Sequence, residues 1–147
     1  MARIDLWQKV ALTAVIMAIV CAYSGCGGGW NVPSNAKDLK NPVPANASTL
    51  GAARDIYADH CAKCHGVSGD GKIPPGSTYF YFTKPTNFTN ARVVDAMSDG
   101  EIFWKITNGR KPMPAFEERL SDTQRWELVN LIRLFAHPAS MSAPSQK

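Results

Sequence analysis

The sequence predicts a small all-α domain of about three main helices joined by long loops. Three observations carry that expectation. Apolar residues recur every three or four positions in three separate stretches, two of these open on a Ser-x-x-Glu or Ser-x-x-Gln box, and the alternation of a half-buried strand is sustained nowhere. A chain of 147 residues holds one such domain with a leader and tails.

The first stretch starts at Thr49. Leu50, Ala53, Tyr57, Cys61 and Cys64 fall at spacings of three or four while Arg54, Asp55 and Asp59 lie off that stripe, so a helix is expected through about Cys64. The second opens on Ser98 with Glu101 three residues later, carries Ile102, Phe103, Trp104 and Ile106, and stops near Asn108-Gly109. The third repeats the box with Ser121 and Gln124, continues through Trp126, Val129, Ile132 and Phe135, and ends at Pro138. Between the first two, residues 66–90 are rich in Gly, Pro and Thr without a period, and read as loop. The folded part, residues 49–137, then buries little apolar surface by itself, so something besides side chains must complete its core.

The flanks have a different character. Arg3 and Lys9 precede an uncharged apolar run from Val10 to Val20, the pattern of an export signal occupying residues 1–25. The run ends in Tyr23-Ser24-Gly25-Cys26, which resembles the lipobox of bacterial lipoproteins, with Tyr where an aliphatic residue is usual. That resemblance implies a lipid anchor at Cys26, with ordinary cleavage near Ala22 or Ser24 or an uncleaved N-terminal anchor as alternatives, and a location on the periplasmic side of a bacterial cell envelope. Residues 27–48 contain three consecutive glycines and Asn41-Pro42-Val43-Pro44, and read as a flexible linker spanning about 25 Å root-mean-square. After Pro138 the polar tail to Lys147 is expected to be disordered.

Sixteen Lys and Arg against twelve Asp and Glu give a net charge of +4, too mild and too scattered for a nucleic-acid partner. Lys63, Lys105, Arg110 and Lys111 form a candidate basic rim for an acidic protein.

The chemistry-bearing motif is Cys61-Ala62-Lys63-Cys64-His65. Two thiols at this spacing can add to the two vinyl groups of a haem while the adjacent imidazole meets the iron from the same side. A thioredoxin-like redox pair and half of a zinc site share the Cys-x-x-Cys spacing, but the first belongs after a strand and the second needs two further ligands. For the other axial position the candidates are Met97, Met113 and Met141. Met113 lies between Pro112 and Pro114, whose restricted backbones stiffen a loop that presents a thioether. Met97 precedes a helix cap and reads as packing, and Met141 lies in the tail. His60 reads as a surface residue, and His137 as a cation at a helix C-terminus.

These residues resemble the class I cytochrome c family over nearly all of Ala53–Phe135. The likeness runs through the Ala53–Gly66 segment, Gly66–Gly71, the Pro85–Asn90 segment, Ser98–Gly109, Pro112–Phe116 and Leu120–Phe135, in the family's order. Ala53 stands where the family usually has Gly. The resemblance implies a cytochrome c fold wrapped around one covalent haem c, with first and last helices crossing near Tyr57 and Trp126. It also implies thioethers at Cys61 and Cys64, His65 as proximal and Met113 as distal iron ligand, and Phe103, Phe116 and Tyr79 as candidate pocket walls. One-electron transfer follows, with a quinol-oxidising complex, a terminal oxidase or a dehydrogenase as partner. A tethered shuttle, a fixed haem subunit of a membrane complex, a haem enzyme or gas sensor with an open iron, and a thiol oxidoreductase remain the competing functions.

Overall fold

In the computed structural model the described residues are Trp7, 29–73 and 84–141, and the chain separates into two units, residues 1–31 and 32–147. The export signal (apart from Trp7), Cys26, Tyr79 and residues 142–147 lie outside the described residues. In the second unit the described residues form α1 (Ser34–Lys37), α2 (Ala47–His60), α3 (Ala62–His65), α4 (Ala91–Asp95), α5 (Asp99–Asn108) and α6 (Asp122–Ala136), followed by a 3-10 turn at Pro138–Met141. Among them there is no strand, only one isolated bridge between Arg110 and Met113. The fold is the small all-α one that the spacing predicted.

The two long helices, α2 and α6, make the most extensive packing contact. Leu50, Ala53 and Tyr57 form the buried stripe of α2, and Leu128, Val129, Leu131 and Ile132 are buried on α6. Ala53 has no exposed surface, so its single methyl fits where the family usually carries glycine. Tyr57 meets Phe135 edge-on at 5.1 Å, as expected near the crossing of first and last helices. Trp126 instead stacks on Phe103 at 4.1 Å and 13°, which joins α6 to α5. Buried residues lie around most of the α6 circumference because α2, α4 and α5 all pack against it.

Arg125 sits beneath this joint. Its guanidinium lies 5.1 Å from the Phe103 ring centre and pairs with Asp122, while Nε and Nη1 find no acceptor among the described residues. The cation–ring attraction offsets part of that desolvation. Arg133 is fully engaged: Nε donates to Asp99 Oδ1 at 2.8 Å, Nη1 to Val94 O at 2.8 Å and Nη2 to Met97 O at 2.6 Å. It fixes the turn between α4 and α5.

Three boundaries differ from the sequence expectation. α2 begins at Ala47 because Asn46 caps it: Oδ1 accepts from Ser48 N and Thr49 N, and Thr49 Oγ1 accepts from Asn46 N. Thr replaces the usual Glu or Gln of the box, which hid the signal. The helix also ends at His60, and α3 starts afresh after Cys61.

The largest difference concerns the segment expected to be a flexible linker up to Ser48. From Val32 onward it packs: Val32 and Ala36 are buried, and Asn41 Nδ2 donates to Trp126 O at 3.1 Å and to Asn130 Oδ1 at 2.9 Å. Asn130 Nδ2 returns a bond to Val43 O at 2.9 Å. The domain therefore starts near residue 32, and aperiodic composition misled because one helical turn, α1, and then side chains such as Asn41 and Asn130 satisfy this backbone, neither of which leaves a sustained period in the sequence.

Candidate functional site: the Cys61–His65 turn and the Met113 loop

Cys61 is where α2 stops. Its backbone N–H still donates to Tyr57 O at 2.9 Å, but its ψ of −39° at φ −112° turns the chain, and Cys64 N and His65 N both return to Cys61 O, at 3.0 and 2.9 Å. The five motif residues thus form one tight turn, with Cys61, Cys64 and His65 half-buried and Lys63 exposed. Gly66, at φ 79°, ends it. A Cβ there would overlap the Asp70 carboxylate and crowd Lys72 O, so only glycine fits.

The following loop closes back on the turn. Tyr57 Oη donates to Gly66 O at 2.9 Å, Gly71 N to His65 O at 2.9 Å, and Phe88 N to Gly69 O at 2.6 Å. Burial raises the Tyr57 phenol well above its ordinary range, so it stays a donor. The Asp70 carboxylate is held low by the Lys72 backbone N–H and side chain, and it pins the tip of the loop.

This closure orients His65. Its ring stacks on Phe88 at 4.6 Å and 16°, and its Nδ1 lies 3.3 Å from Thr86 O. A carbonyl can only accept, so Nδ1 carries the proton and Nε2 keeps a lone pair. Burial lowers the His65 pKa, with the Thr86 bond opposing, so the imidazole is neutral at neutral pH. That is the form in which a histidine binds a metal.

Cys61 has a thiol pushed up to about 12, chiefly by burial, with Lys63 opposing and Cys64 adding to the rise. A thiol disulfide exchanger needs the reverse, a lowered pKa, and usually a preceding strand, which the described residues lack. Among the described residues no group of three or more His, Cys, Asp or Glu could hold a metal ion, so no second pair completes a zinc set. Two adjacent thiols, a neutral imidazole with a free Nε2 and a thioether are a donor set that fits haem c.

Met113 comes from the far side of the sequence. α5 ends at Gly109, φ 61°, where a Cβ would overlap Ala115 N and Pro114 C, so the chain folds back on itself at once. Arg110 N donates to Met113 O at 2.9 Å and Met113 N to Arg110 O at 2.8 Å, closing a four-residue turn. Met113 is half-buried against the core while Pro112 and Pro114 are exposed. The two segments adjoin through His60, whose ring lies 6.0 Å from that of Phe116. His60 is thus a half-buried packing residue, and not the surface one expected.

Of the other candidates, Phe103 is half-buried and spends one face on Trp126, and Phe116 is buried. Met97 is a packing residue whose Sδ accepts from Lys105 Nζ at 3.2 Å. Lys105 also pairs with Glu101 at 2.7 Å and is largely covered, which withdraws it from the basic rim. Lys63, Arg110 and Lys111 are exposed.

Residues 48–132 match the family model for cytochrome c oxidase, cbb3-type, subunit III. The chain belongs to the cytochrome c family. Cytochrome c6 of Picosynechococcus is 30% identical over 97 residues, 66% of this chain and 80% of that protein. Cytochrome c6 of Porphyra purpurea is 27% identical over 117 residues, 80% of this chain and 89% of the relative. The cbb3-type cytochrome c oxidase subunit FixP of Azorhizobium caulinodans is 32% identical over 94 residues, 63% of this chain but 29% of FixP. Among solved structures, a chain of the reducing HAO-like protein complex of Kuenenia stuttgartiensis superposes with a TM-score of 0.54 at 26% identity, covering 90% of this chain and 61% of that one. The cofactor of this cytochrome c domain is a covalent haem c, and its chemistry is electron transfer.

The sequence missed Thr86 and Phe88. Nothing marks them locally, since Thr86 acts through its carbonyl. Only the resemblance of the Pro85–Asn90 segment to the family covered them, without assigning them a role.

Proposed function

We propose that this chain is a one-electron carrier of the bacterial cell envelope, with haem c on Cys61 and Cys64 and its iron between His65 and Met113. The observation that carries the reading is the Nδ1 bond from His65 to Thr86 O, which keeps the Nε2 lone pair for a metal on the same turn as two half-buried thiols. Haem c, when bound, supplies an iron that cycles between ferric and ferrous states. The chain's own residues set how it does so. Cys61 and Cys64 hold the group covalently, and His65 is kept in one tautomer by a carbonyl that also raises its basicity. Met113 would supply the second protein ligand to that iron, which would leave no open site for a substrate, and its thioether would favour the ferrous state relative to a second imidazole.

The remaining parts of the proposal are the partners and the location. Exposed Lys63 and Lys111 give an acidic redox partner a basic surface, so the docking rate falls as salt screens the encounter. The partners proposed are a quinol-oxidising complex on one side and a terminal oxidase or dehydrogenase on the other. Residues 1–25 export the chain and Cys26 anchors it on the periplasmic side of the membrane. Among the described residues no helix is long and apolar enough to cross a membrane.

A second reading, a fixed haem subunit of a membrane oxidoreductase, draws on the packing of residues 32–46. Only five residues separate Cys26 from Val32, where the packed segment begins, instead of the 22 expected as linker. The deciding experiment is the visible spectrum of the haem-loaded protein, oxidised and reduced, with and without carbon monoxide. A methionine-to-ferric-iron charge-transfer band with no carbon monoxide shift supports the six-coordinate carrier. An immediate shift moves the open-iron enzyme or sensor ahead.

A further inference from the structure

The segment 32–46 lies outside the residues that match the family model, which begin at 48, yet it touches three helices in succession. It grips the start of α5 most closely. Ser98, the N-cap of α5, accepts from Glu101 N at 3.1 Å and donates its own hydroxyl proton to Lys37 O at 2.7 Å, so one side chain serves both helix and strap. Gly100 is buried against the strap: a Cβ there would overlap Ala36 O and stand 2.9 Å from Leu39 Cβ. Further along, Asn41 Nδ2 donates to Asn130 Oδ1 and Asn130 Nδ2 donates to Val43 O, which ties the strap to α6, and Val43 N donates to Asn41 Oδ1 at 2.9 Å. Thr49 Oγ1 donates to Pro44 O at 2.7 Å and fixes its end to α2.

The other end of α5 carries the Met113 loop, and both feet of that loop stand on the last turn of α5. Gly109 N donates to Lys105 O at 3.0 Å where the loop leaves. Where it returns, Phe116 N lies 3.2 Å from Ile106 O and 3.1 Å from Thr107 O, and Glu117 N 3.2 Å from Thr107 O. Between its feet the loop is held by its own Arg110–Met113 turn and two prolines. Where α5 sits therefore determines where the thioether sits, and a rigid helix of ten residues transmits the position of one end to the other.

We infer that the 32–46 strap is a positioning element for the axial methionine: by holding Ser98 and Gly100 it fixes α5, and through α5 it holds the Met113 loop closed on the iron. Asn41 is the positioning residue that keeps the strap in place. The inference rests on Met113 being the distal ligand. The strap contributes no atom to the iron itself.

The test uses full-length, haem-loaded protein. Asn41→Ala removes two donated bonds and one accepted one without adding bulk, and Gly100→Ala pushes directly on the strap. Ala53→Gly, in the α2 stripe away from α5, serves as a control of general destabilisation. The readouts are the methionine charge-transfer band during heating and the rate of carbon monoxide binding to the ferrous protein, which reports how often the loop opens. In Asn41→Ala the binding rate rises about tenfold, the scale of a little over one net hydrogen bond transmitted to the loop out of the three removed, and the charge-transfer band melts before the helical signal. Gly100→Ala does the same or more. Ala53→Gly lowers the global midpoint but keeps band and helix melting together. If both strap variants bind carbon monoxide no faster than the control, the strap is only structural and the inference falls alone. If the unsubstituted protein binds carbon monoxide at once, the Met113 assignment falls and takes the inference with it.

Discussion

Cys61–His65 takes its shape from hydrogen bonds to its own turn and to the loop directly after it, whereas Met113 sits on a loop whose two feet both stand on α5. The histidine half is built from consecutive residues, and its outer support, Thr86 and Phe88, arrives on the same continuous segment that Gly69 and Gly71 fold back. The methionine half has its own Arg110–Met113 turn, but that turn is anchored only on the last turn of α5. Its position is inherited from α5, which is set by Trp126 on α6, by Arg133 and by the strap. The difference teaches that one ligand of a two-ligand site can be nearly autonomous while the other reports on the whole tertiary fold. Disturbance anywhere around α5 is then expected to release Met113 long before it affects His65.

The largest effect expected on that comparison comes from the local half. Replacing both Cys61 and Cys64 by Ala abolishes covalent haem, so the mass of the purified protein equals that of the polypeptide alone. Next comes Met113→Ala, which keeps the covalent mass and the His65 side intact. The ferrous protein then binds carbon monoxide at once, the charge-transfer band disappears and the reduction potential drops. Retention of that band would show that another group, such as Met97, is the ligand.

Gly109→Ala asks whether the loop's shape alone matters. Its added Cβ overlaps backbone at a φ of 61°, a cost of about 2 kcal/mol or more. The expected outcome is a lowered midpoint for loss of the charge-transfer band with the covalent haem retained. Tyr57→Phe probes the opposite half more gently. It leaves Gly66 O without the phenol and removes about 1 kcal/mol, roughly 5 °C in Tm for a domain of this size, with the spectrum unchanged. A spectral change would mean that the loop after the motif, and with it His65, is less autonomous than its hydrogen bonds imply.

The smallest effect concerns Asp70. Its carboxyl pKa is held below the usual 3.8, so its contribution is present above that value and is lost as pH falls through the lower folded value. Asp70→Asn is expected to remove this acid dependence, seen as a flatter midpoint-versus-pH curve below about pH 4, and to leave the methionine half unchanged. Because the Lys72 ammonium that pairs with this half-buried carboxylate is exposed, the difference should be slight and should shrink further in salt.

The sequence by itself determined most of what is chemically local. Residue spacing announced α5 and α6 through Ser98-x-x-Glu101 and Ser121-x-x-Gln124; the Ser121–Gln124 box forms in full, while at Ser98 the hydroxyl accepts from Glu101 N and the Glu101 carboxylate pairs with Lys105 instead. The Cys61–His65 motif and the proline-flanked Met113 were legible because their chemistry depends on residue type and on separations of a few positions. Tertiary structure decided the rest. That Asn46 caps α2 with Thr49, that Asn41 clasps Asn130 and that Val32 and Ala36 are buried required knowing which backbone groups a distant segment leaves unsatisfied. Lys105 looked like a docking charge until Glu101 and Met97 were found to hold it. Periodicity records how a segment buries one face, but a strap buries through amide bonds and single small side chains, whose partners are chosen only when the helices have packed.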